Sequence, residues 1–254
     1  IQDLQSAGLK VGLVSHGSDT RLPSLHAEIE KDSPFHKRLD GLTEELEQTT
    51  GKKLQMMDDL RLPEFVPTPE LLHFRPDAQW LPLLTSLDPW VDAPPTTLEN
   101  RKPTVLHVPG GQPDLKGTDS ISPAMHRLAD EGLIHYVEAS GLSHTEMQEL
   151  ICEADVVVNQ VGMGLYATVG VEAMLAGKIV VAQVWDSVRR HIREETGKDL
   201  PILEATRDTV YDVVRTIAER PNDYRTLGAE SREFALAAHS YRQAAHALEG
   251  FVRS

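Results

Sequence analysis

Residues 154–182 read ADVVVNQVGMGLYATVGVEAMLAGKIVVA, and this stretch decides the fold. Two near-continuous apolar runs, at residues 155–159 and 179–184, predict strands that are covered on both faces. The segment 169–176 between them is predicted to be a helix that ends at Gly177, because glycine commonly follows the last helical turn. A strand, a helix and a strand in this order predict two parallel strands joined by a helical crossover.

The same alternation extends on both sides of this stretch. Further predicted elements are strands at 104–108 and 134–138, helices at 121–131 and 145–153, and a helical region at 209–251 that is broken at Pro221. This pattern predicts an α/β fold in which residues 104–254 form one doubly wound, Rossmann-like domain with C-terminal helices.

The chain before this domain is organised differently. A short apolar run at 11–14 predicts a strand, residues 25–50 are predicted to be helical, and the proline-containing segment 62–72 predicts turns and a strand. A proline-rich stretch follows, and we place the linker between two domains at 91–103. Residues 1–90 then have fewer strands than a domain of their own needs.

Composition excludes several classes of protein. The chain has 254 residues, of which 40% are hydrophobic and 25% charged, so it is globular rather than disordered. Its net charge of −14 argues against non-specific nucleic-acid binding, which needs a basic field. One cysteine permits no intrachain disulfide and no cysteine-based zinc site, and it fits a cytoplasmic protein. No apolar run is long enough for a transmembrane helix, which leaves peripheral contact with the inner face of a membrane open.

Two glycine-containing loops follow predicted strands, where open parallel sheets bind ligands. The loop 109–117 contains Lys116, whose compact positive charge suits a phosphate, although the glycine spacing is not that of a P-loop. The loop 160–167 precedes the predicted helix, where free backbone N–H groups can bind an anion. The structural alternatives are a surface turn with a solvated lysine and a tight strand-to-helix turn without a ligand.

Two further groups of side chains are candidates. Glu172 lies among apolar neighbours in the predicted helix and could accept hydrogen bonds from a ribose diol, or it could be a solvated helix carboxylate. The segment His16–Arg21 brings His16, Asp19 and Arg21 together after a strand. His16 could act as a base or a donor and Arg21 could bind a phosphate or carboxylate, unless Asp19 and Arg21 simply pair to hold the loop.

Other common motifs are missing from the sequence. The remaining histidines lack metal-ligand spacing, and no GxSxG motif of serine hydrolases occurs. The spacing of Gly162, Gly164 and Ala167 permits an NAD-binding loop. This loop comes late in the domain and no acidic residue follows at the usual distance, which disfavours an oxidoreductase.

Taken in order, these segments resemble the nucleotide-sugar half of a GT-B glycosyltransferase, and most closely glycosyltransferase family 4 (glycosyl transferases group 1). The matching segments are VLHVP at 105–109, KGT at 116–118, ADVVV at 154–158, GLYA at 164–167 and VEAMLAGKIVV at 171–181. Residues 11–82 resemble the later part of the acceptor-side domain, through HGSDTR at 16–21 and FVPTPELL at 65–72. The resemblance implies two Rossmann-like domains that face a cleft, with about half of the first lying upstream of Ile1.

The resemblance also implies an activity and roles for residues. The chain would be a retaining hexosyltransferase that needs no metal or other cofactor and takes a nucleotide-diphosphate sugar as donor. The cleft between the domains, near the linker, would hold the donor and an acceptor. The implied catalytic residues are His16, Asp19 and Arg21, and the implied donor-binding residues are Lys116, Gly117, His144, Gly164, Leu165, Tyr166, Ala167 and Glu172.

The sequence departs from the family at one informative position. Members usually have two glutamates separated by seven residues; Glu172 matches the second, but Gly164 stands at the first. That first carboxylate normally faces the sugar, so the sugar stays open. The alternatives are a non-catalytic module of the same fold that binds a nucleotide or a partner protein, another GT-B-like enzyme such as an epimerase or a phosphorylase, and the NAD-type oxidoreductase.

Overall fold

The computed structural model describes residues 1–37, 41–90, 92–99 and 102–253. These residues form two parallel sheets with helices packed around them. We call the part up to residue 90 the N-terminal unit and the part from residue 102 the C-terminal unit. In the part of the chain that is described, no helix is both long and apolar enough to cross a membrane.

The N-terminal unit contains a small sheet. Its strands are β1 (Leu13–Val14), β2 (Glu64–Val66) and β3 (Gln79–Trp80), which are parallel and adjacent in that order. Its helices are α1 (Gln2–Ser6), α2 (Gly17–Thr20), α3 (Pro23–Ile29) and α4 (Leu42–Leu60). The strand predicted at 11–14 is therefore confirmed.

The prediction of helix throughout residues 25–50 is wrong around Pro34. The structure has two helices, α3 and α4, with a 3-10 turn at Pro34–His36 between them. Pro34 starts that turn, and a proline in a helix interior removes a backbone donor and clashes with the preceding turn. The break lets Glu30 accept a hydrogen bond from Trp185 and the carbonyl of Asp32 accept one from Arg207, both residues of the C-terminal unit.

The C-terminal unit contains a five-stranded parallel sheet in the order β5-β4-β6-β7-β8. The strands are β4 (Thr104–His107), β5 (His135–Glu138), β6 (Val156–Val158), β7 (Ile179–Ala182) and β8 (Ile202–Glu204). The first four confirm the predicted strands. Strand β8 was not predicted from the sequence, because only its first residue is buried and the apolar run is too short.

Helices cover both faces of this sheet. They are α5 (Pro113–Lys116), α6 (Thr118–Asp130), α7 (His144–Glu153), α8 (Thr168–Leu175), α9 (Asp186–Thr196), α10 (Val210–Glu219), α11 (Leu227–Ala238) and α12 (Tyr241–Arg253). Val157 of β6 packs in one buried cluster with Met174 and Phe234, whereas Val156 packs in the other with Met125. Alternate residues of one strand are thus buried on opposite faces, as the Val-rich pattern predicted.

The strand order determines where a ligand can bind. Strand β4 connects outward to β5, whereas β6, β7 and β8 extend the other way, so the order reverses between β4 and β6. Loops that leave two such strands separate and open a crevice at the carboxyl ends. The loops in question are 109–117 and 160–167, the two glycine-containing loops of the sequence.

The segment before β4 runs along the opposite edge of the sheet. The hydroxyl of Thr96 donates to Asp155 Oδ1 (2.6 Å) and its backbone N–H donates to the carbonyl of Gly177 (2.9 Å). Asp155 precedes β6 and Gly177 precedes β7, so this segment crosses the amino ends of the strands. Thr96, within the predicted linker, thus lies at the end of the sheet opposite the loops that follow β4 and β6.

Helix α12 returns the chain to the N-terminal unit. The ring of Phe251 packs edge-on against Phe65 of β2, with ring centroids 5.6 Å apart. Lys10 Nζ donates to the carbonyl of Val252 over 2.7 Å. These contacts join the two units away from the loops that follow β4 and β6.

Candidate functional site

A cavity of about 420 Å³ lies between the two units, at the carboxyl ends of β1, β4 and β6. The N-terminal unit contributes His16, Gly17, Arg21, Pro67, Thr68 and Leu83. The C-terminal unit contributes residues of the loops 109–117 and 160–167, among them Lys116, Leu165 and Ala167, and the first residue of α8, Thr168. The cavity is therefore the crevice that the strand order predicts.

Lys116 is the cation on the C-terminal side of this cavity. It is the last residue of the short helix α5, and burial lowers the pKa of its ammonium. Gly117 follows with a φ of +73°, and a Cβ there would lie 2.5 Å from Val161 Cγ2 and 2.6 Å from the Val161 carbonyl oxygen. Only glycine fits this turn, which brings the loops after β4 and β6 into direct contact.

His107 fixes the base of the same loop, and sequence analysis missed it. Its Nδ1 donates to the carbonyl of Val158 (2.9 Å) and its Nε2 accepts from the hydroxyl of Thr118 (2.8 Å). The ring is fully buried, and burial lowers its pKa, which keeps it neutral. The only signal in the sequence is a polar residue at the end of an apolar strand.

The loop after β6 leads to the N-terminus of α8. Gln160 Nε2 donates to the carbonyl of Leu165 (3.0 Å), and the N–H of Gly162 donates to Gln183 Oε1 (2.5 Å). The N-cap residue of α8 is Ala167, and no side chain caps the helix. Because Ala167 and Thr168 line the cavity, the positive end of the helix dipole lies at its wall.

Glu172 lies beside the cavity but does not line it. Its side chain is almost completely buried, and its Oε1 accepts a long hydrogen bond from Thr85 (3.4 Å). Burial raises the pKa of this carboxyl, an effect that the nearby charge of His144 opposes. His144 itself is exposed at the start of α7, where Gln148 contacts its ring.

The segment His16–Arg21 contributes to the cavity through His16, Gly17 and Arg21. Asp19 faces elsewhere: its carboxylate accepts from the backbone N–H of His16 (2.8 Å) and from Lys53 Nζ (2.8 Å). Asp19 thus holds the start of α2. The alternative considered for this segment, a pair between Asp19 and Arg21, does not form, since the partner of Arg21 is Glu70.

Arg21 and Glu70 form a buried ion pair at the N-terminal wall of the cavity. Arg21 Nη2 lies 2.5 Å from Glu70 Oε1, and the Arg21 and Glu70 side chains are 10% and 0% exposed. The hydroxyl of Thr68 donates to the same oxygen (3.0 Å). Burial raises the pKa of the Glu70 carboxyl, although the adjacent charge of Arg21 counteracts this rise.

Gly164 and Tyr166 point away from the cavity. A Cβ on Gly164 would lie 2.2 Å from Trp185 Cε2, so the Trp185 ring fills the space of a side chain at this position. Trp185 Nε1 in turn donates to Glu30 Oε2 (2.7 Å). The hydroxyl of Tyr166 donates to Nε2 of the buried His239 (3.1 Å), and His239 Nδ1 donates to the carbonyl of Leu83 (2.9 Å).

The structure therefore brings together some of the predicted site residues and separates others. His16, Arg21, Lys116, Leu165 and Ala167 line one cavity. The other predicted residues, Asp19, Gly117, His144, Gly164, Tyr166 and Glu172, lie outside its lining. Within the described ranges, no group of three or more His, Cys, Asp or Glu side chains lies close enough to hold a metal ion.

No protein-family model matches the chain, and no curated protein sequence matches it either. Solved structures do match. Sucrose-phosphate synthase from Thermosynechococcus elongatus is 17% identical, with a TM-score of 0.61 over 99% of this chain and 69% of that one. HepE from Anabaena, solved with UDP and glucose, is 13% identical, with a TM-score of 0.62 over 99% and 73%.

A third solved structure, WaaG, is a glycosyltransferase involved in lipopolysaccharide biosynthesis. It is 14% identical, with a TM-score of 0.59 over 96% of this chain and 80% of that one. These structures are GT-B glycosyltransferases built from Rossmann-like domains. At such low identity the similarity is one of fold, and the chain has the GT-B fold.

Proposed function

We propose that the chain is a glycosyltransferase that moves a hexosyl unit from a nucleotide-diphosphate sugar to an acceptor. The observation that carries this proposal is the cavity between the two sheets, where Lys116 and the N-terminus of α8 meet at the reversal of strand order. HepE, a protein of the same fold, was solved with UDP and glucose. Residues 1–90 would belong to the later part of the acceptor-side domain, 91–103 would be the linker and 104–254 the nucleotide-sugar-binding domain.

The donor diphosphate would bind at the C-terminal wall of the cavity. Lys116 would pair with a phosphate oxygen, and the backbone N–H groups of Leu165, Tyr166 and Ala167 would donate to others. Gly117 would set the direction of Lys116, because its positive φ and its contact with Val161 fix the turn. Gly164 would contribute through the backbone of this loop, because Trp185 occupies the space of a side chain there.

The nucleoside would extend from there towards α7. Glu172 would accept hydrogen bonds from the ribose hydroxyls, since its Oε1 has only a long contact with Thr85. His144 and the loop before α7 would lie beside the base. Burial leaves the carboxylate of Glu172 poorly solvated, and hydrogen bonds from a ribose would replace the hydrogen bonds to water that it has lost.

The reaction would break the bond between the anomeric carbon and the diphosphate oxygen. Negative charge that develops on the leaving diphosphate would be stabilised by Lys116 and the α8 dipole, so we propose that no metal is required. The acceptor oxygen would form its bond to the anomeric carbon on the face from which the diphosphate leaves, which retains the configuration, and the acceptor proton would pass to the leaving diphosphate oxygen. His16 would contact the reacting groups, Asp19 would hold His16 through its backbone, and Arg21 would face the acceptor.

The test is a direct assay of the purified chain. We expect one of UDP, GDP and ADP to bind most tightly. The sugar nucleotides of that base should be hydrolysed slowly, or their sugar transferred, without added metal and in the presence of EDTA. Activity that EDTA abolishes would remove the metal-independent mechanism. We also propose that the protein is cytoplasmic, as predicted from its single cysteine.

A non-catalytic nucleotide-binding module is the second candidate. One observation favours it: Trp185 fills the space at Gly164, where related enzymes have a carboxylate facing the sugar. This candidate predicts tight binding of the preferred nucleoside diphosphate with no release of sugar from any donor. Turnover of a donor that Lys116→Ala abolishes would exclude it.

A further inference from the structure

We propose that Arg21 binds an anionic group, a phosphate or a carboxylate, of the acceptor substrate. The inference rests on the proposed function, because it assigns the second substrate of the same cavity. Three observations carry the inference: the charges of the cavity wall, the hydrogen-bond donors of the Arg21 guanidinium and the side of the cavity on which Arg21 lies.

The cavity is cationic in an acidic protein. The chain has 39 Asp and Glu residues against 25 Lys and Arg residues. The Lys and Arg residues of the described cavity wall are nevertheless Arg21 and Lys116, and none of the residues lining it is acidic. Arg21 is paired with Glu70, but that carboxylate is 0% exposed and does not line the cavity, so the charged groups that face a ligand are Arg21 and Lys116. Such a wall favours an anionic ligand over a neutral one.

The Arg21 guanidinium is held by an ion pair, but not all of its N–H donors have a hydrogen-bond partner. Glu70 Oε1 accepts from Nη2, while Nε is buried without a hydrogen-bond partner among the described residues. A Cβ on Gly17 would lie 2.6 Å from Nη1, so glycine at that position allows the guanidinium to lie against the backbone. A guanidinium has five N–H donors in a planar fork that matches phosphate and carboxylate oxygens. Glu70 thus engages Nη2, which leaves Nη1, beside the cavity-lining Gly17, as the donor for a ligand.

The position of Arg21 assigns it to the second substrate. It follows β1 and α2 in the N-terminal unit, whereas Lys116 and the start of α8 belong to the C-terminal unit. The donor diphosphate would occupy the wall of the C-terminal unit. Arg21, on the other wall, then faces the molecule that receives the sugar.

The experiment is a titration of inorganic phosphate into the chain saturated with its preferred nucleoside diphosphate, which blocks the Lys116 wall. Arg21→Gln alone leaves Glu70 buried without its cation, so the informative variant combines Arg21→Gln with Glu70→Gln. Arg242→Gln, a change of an exposed arginine on α12, is the control. We expect the double variant to weaken phosphate binding by about 10-fold or more, as for the loss of charge-assisted hydrogen bonds, and Arg242→Gln to leave it unchanged.

The nucleoside diphosphate reports on folding and on the donor site in the same samples. We expect its affinity in the double variant to stay within about 2-fold of wild type. Phosphate binding that is equal in wild type and double variant would overturn the proposal, as would a loss of nucleotide affinity as large as that caused by Lys116→Ala. If the wild-type chain bound no nucleotide, the proposed function would fail, whereas nucleotide binding without phosphate binding would remove only the role of Arg21.

Discussion

Trp185 Nε1 donates a hydrogen bond to Glu30 Oε2 over 2.7 Å, and this bond joins the two units beside the cavity. Gln183 Nε2 donates to the same oxygen (3.2 Å), while Gln183 Oε1 accepts from the N–H of Gly162 (2.5 Å). The backbone N–H of Trp185 donates to the carbonyl of Gly164 (3.0 Å). A single carboxylate at the end of α3 therefore holds the loop that precedes α8.

Glu30→Ala is expected to destabilise the chain by about 1–3 kcal/mol, because the side-chain donors of Gln183 and Trp185 lose their acceptor. Denaturant unfolding measures this change. Glu28→Ala is the matched control, since Glu28 lies two residues earlier on α3 and is exposed. Equal stability of the two variants would mean that the Glu30 contacts do not hold the units together.

Gly164→Ala tests the contact between Gly164 and Trp185. Gly164 has a φ of +71° and no room for a Cβ, while Gly197 has a φ of +68° and no atom within 4 Å of the position that a Cβ would take. The left-handed backbone destabilises an alanine by about 1 kcal/mol at either position. Overpacking against Trp185 adds about 1–3 kcal/mol at residue 164 alone. If Gly164→Ala and Gly197→Ala lowered the free energy of unfolding equally, the packing described for Trp185 would be contradicted.

Two buried histidines, His26 and His239, make large contributions to the pH dependence of stability. Burial lowers the pKa of His26 to about 3 and of His239 to about 4, from 6.5 for an ordinary histidine. Between pH 6.5 and 4 the unfolded chain therefore binds protons that the folded chain does not, and stability falls as the pH falls through this range. At pH 5 each histidine accounts for a loss of about 2 kcal/mol relative to pH 8.

The comparison of wild type with His239→Gln isolates this effect from the carboxyls, whose pKa shifts have both signs. We expect the variant to lose less stability than wild type between pH 8 and pH 5, by about 2 kcal/mol. Parallel pH profiles of the two proteins would show that burial does not lower the pKa of His239 in the folded chain.

The main elements of the fold were predictable from the sequence, because apolar runs such as 155–159 and 179–184 carry a local pattern. The strand at 202–204 and the break at Pro34 were not, since one depends on pairing with β7 and the other on the position of a single proline. Lys116 and the loop before α8 were found because glycines mark them.

The partners of the site residues could not be predicted. Glu30 and Trp185 are separated by 155 residues, and Arg21 and Glu70 by 49, so only the folded chain brings them together. Asp19 and Arg21 are close in sequence and were the natural pair, yet the backbone of α2 directs Asp19 to Lys53 instead. His107 gave no signal beyond a polar residue in an apolar run.

Glu172→Gln is expected to reduce the preference of the chain for ribose. If the carboxylate accepts from ribose hydroxyls, the variant should bind the preferred nucleoside diphosphate about 10-fold more weakly, while the affinity for its 2′-deoxy form changes less. Calorimetry with both ligands measures the difference. An equal effect on both ligands would remove the 2′-hydroxyl contact of Glu172.

The proposed function depends above all on whether Lys116 and the start of α8 bind the diphosphate of a nucleotide. Calorimetric titration of UDP, GDP and ADP into the wild-type chain, Lys116→Ala and Lys52→Ala tests this binding, Lys52 being an exposed lysine of α4. We predict that at least one nucleotide binds, that Lys116→Ala weakens it by about 10- to 100-fold and that Lys52→Ala leaves it unchanged. Nucleotide binding that is the same in all three proteins, or absent from the wild-type chain, would refute the assignment of this cavity as a donor site.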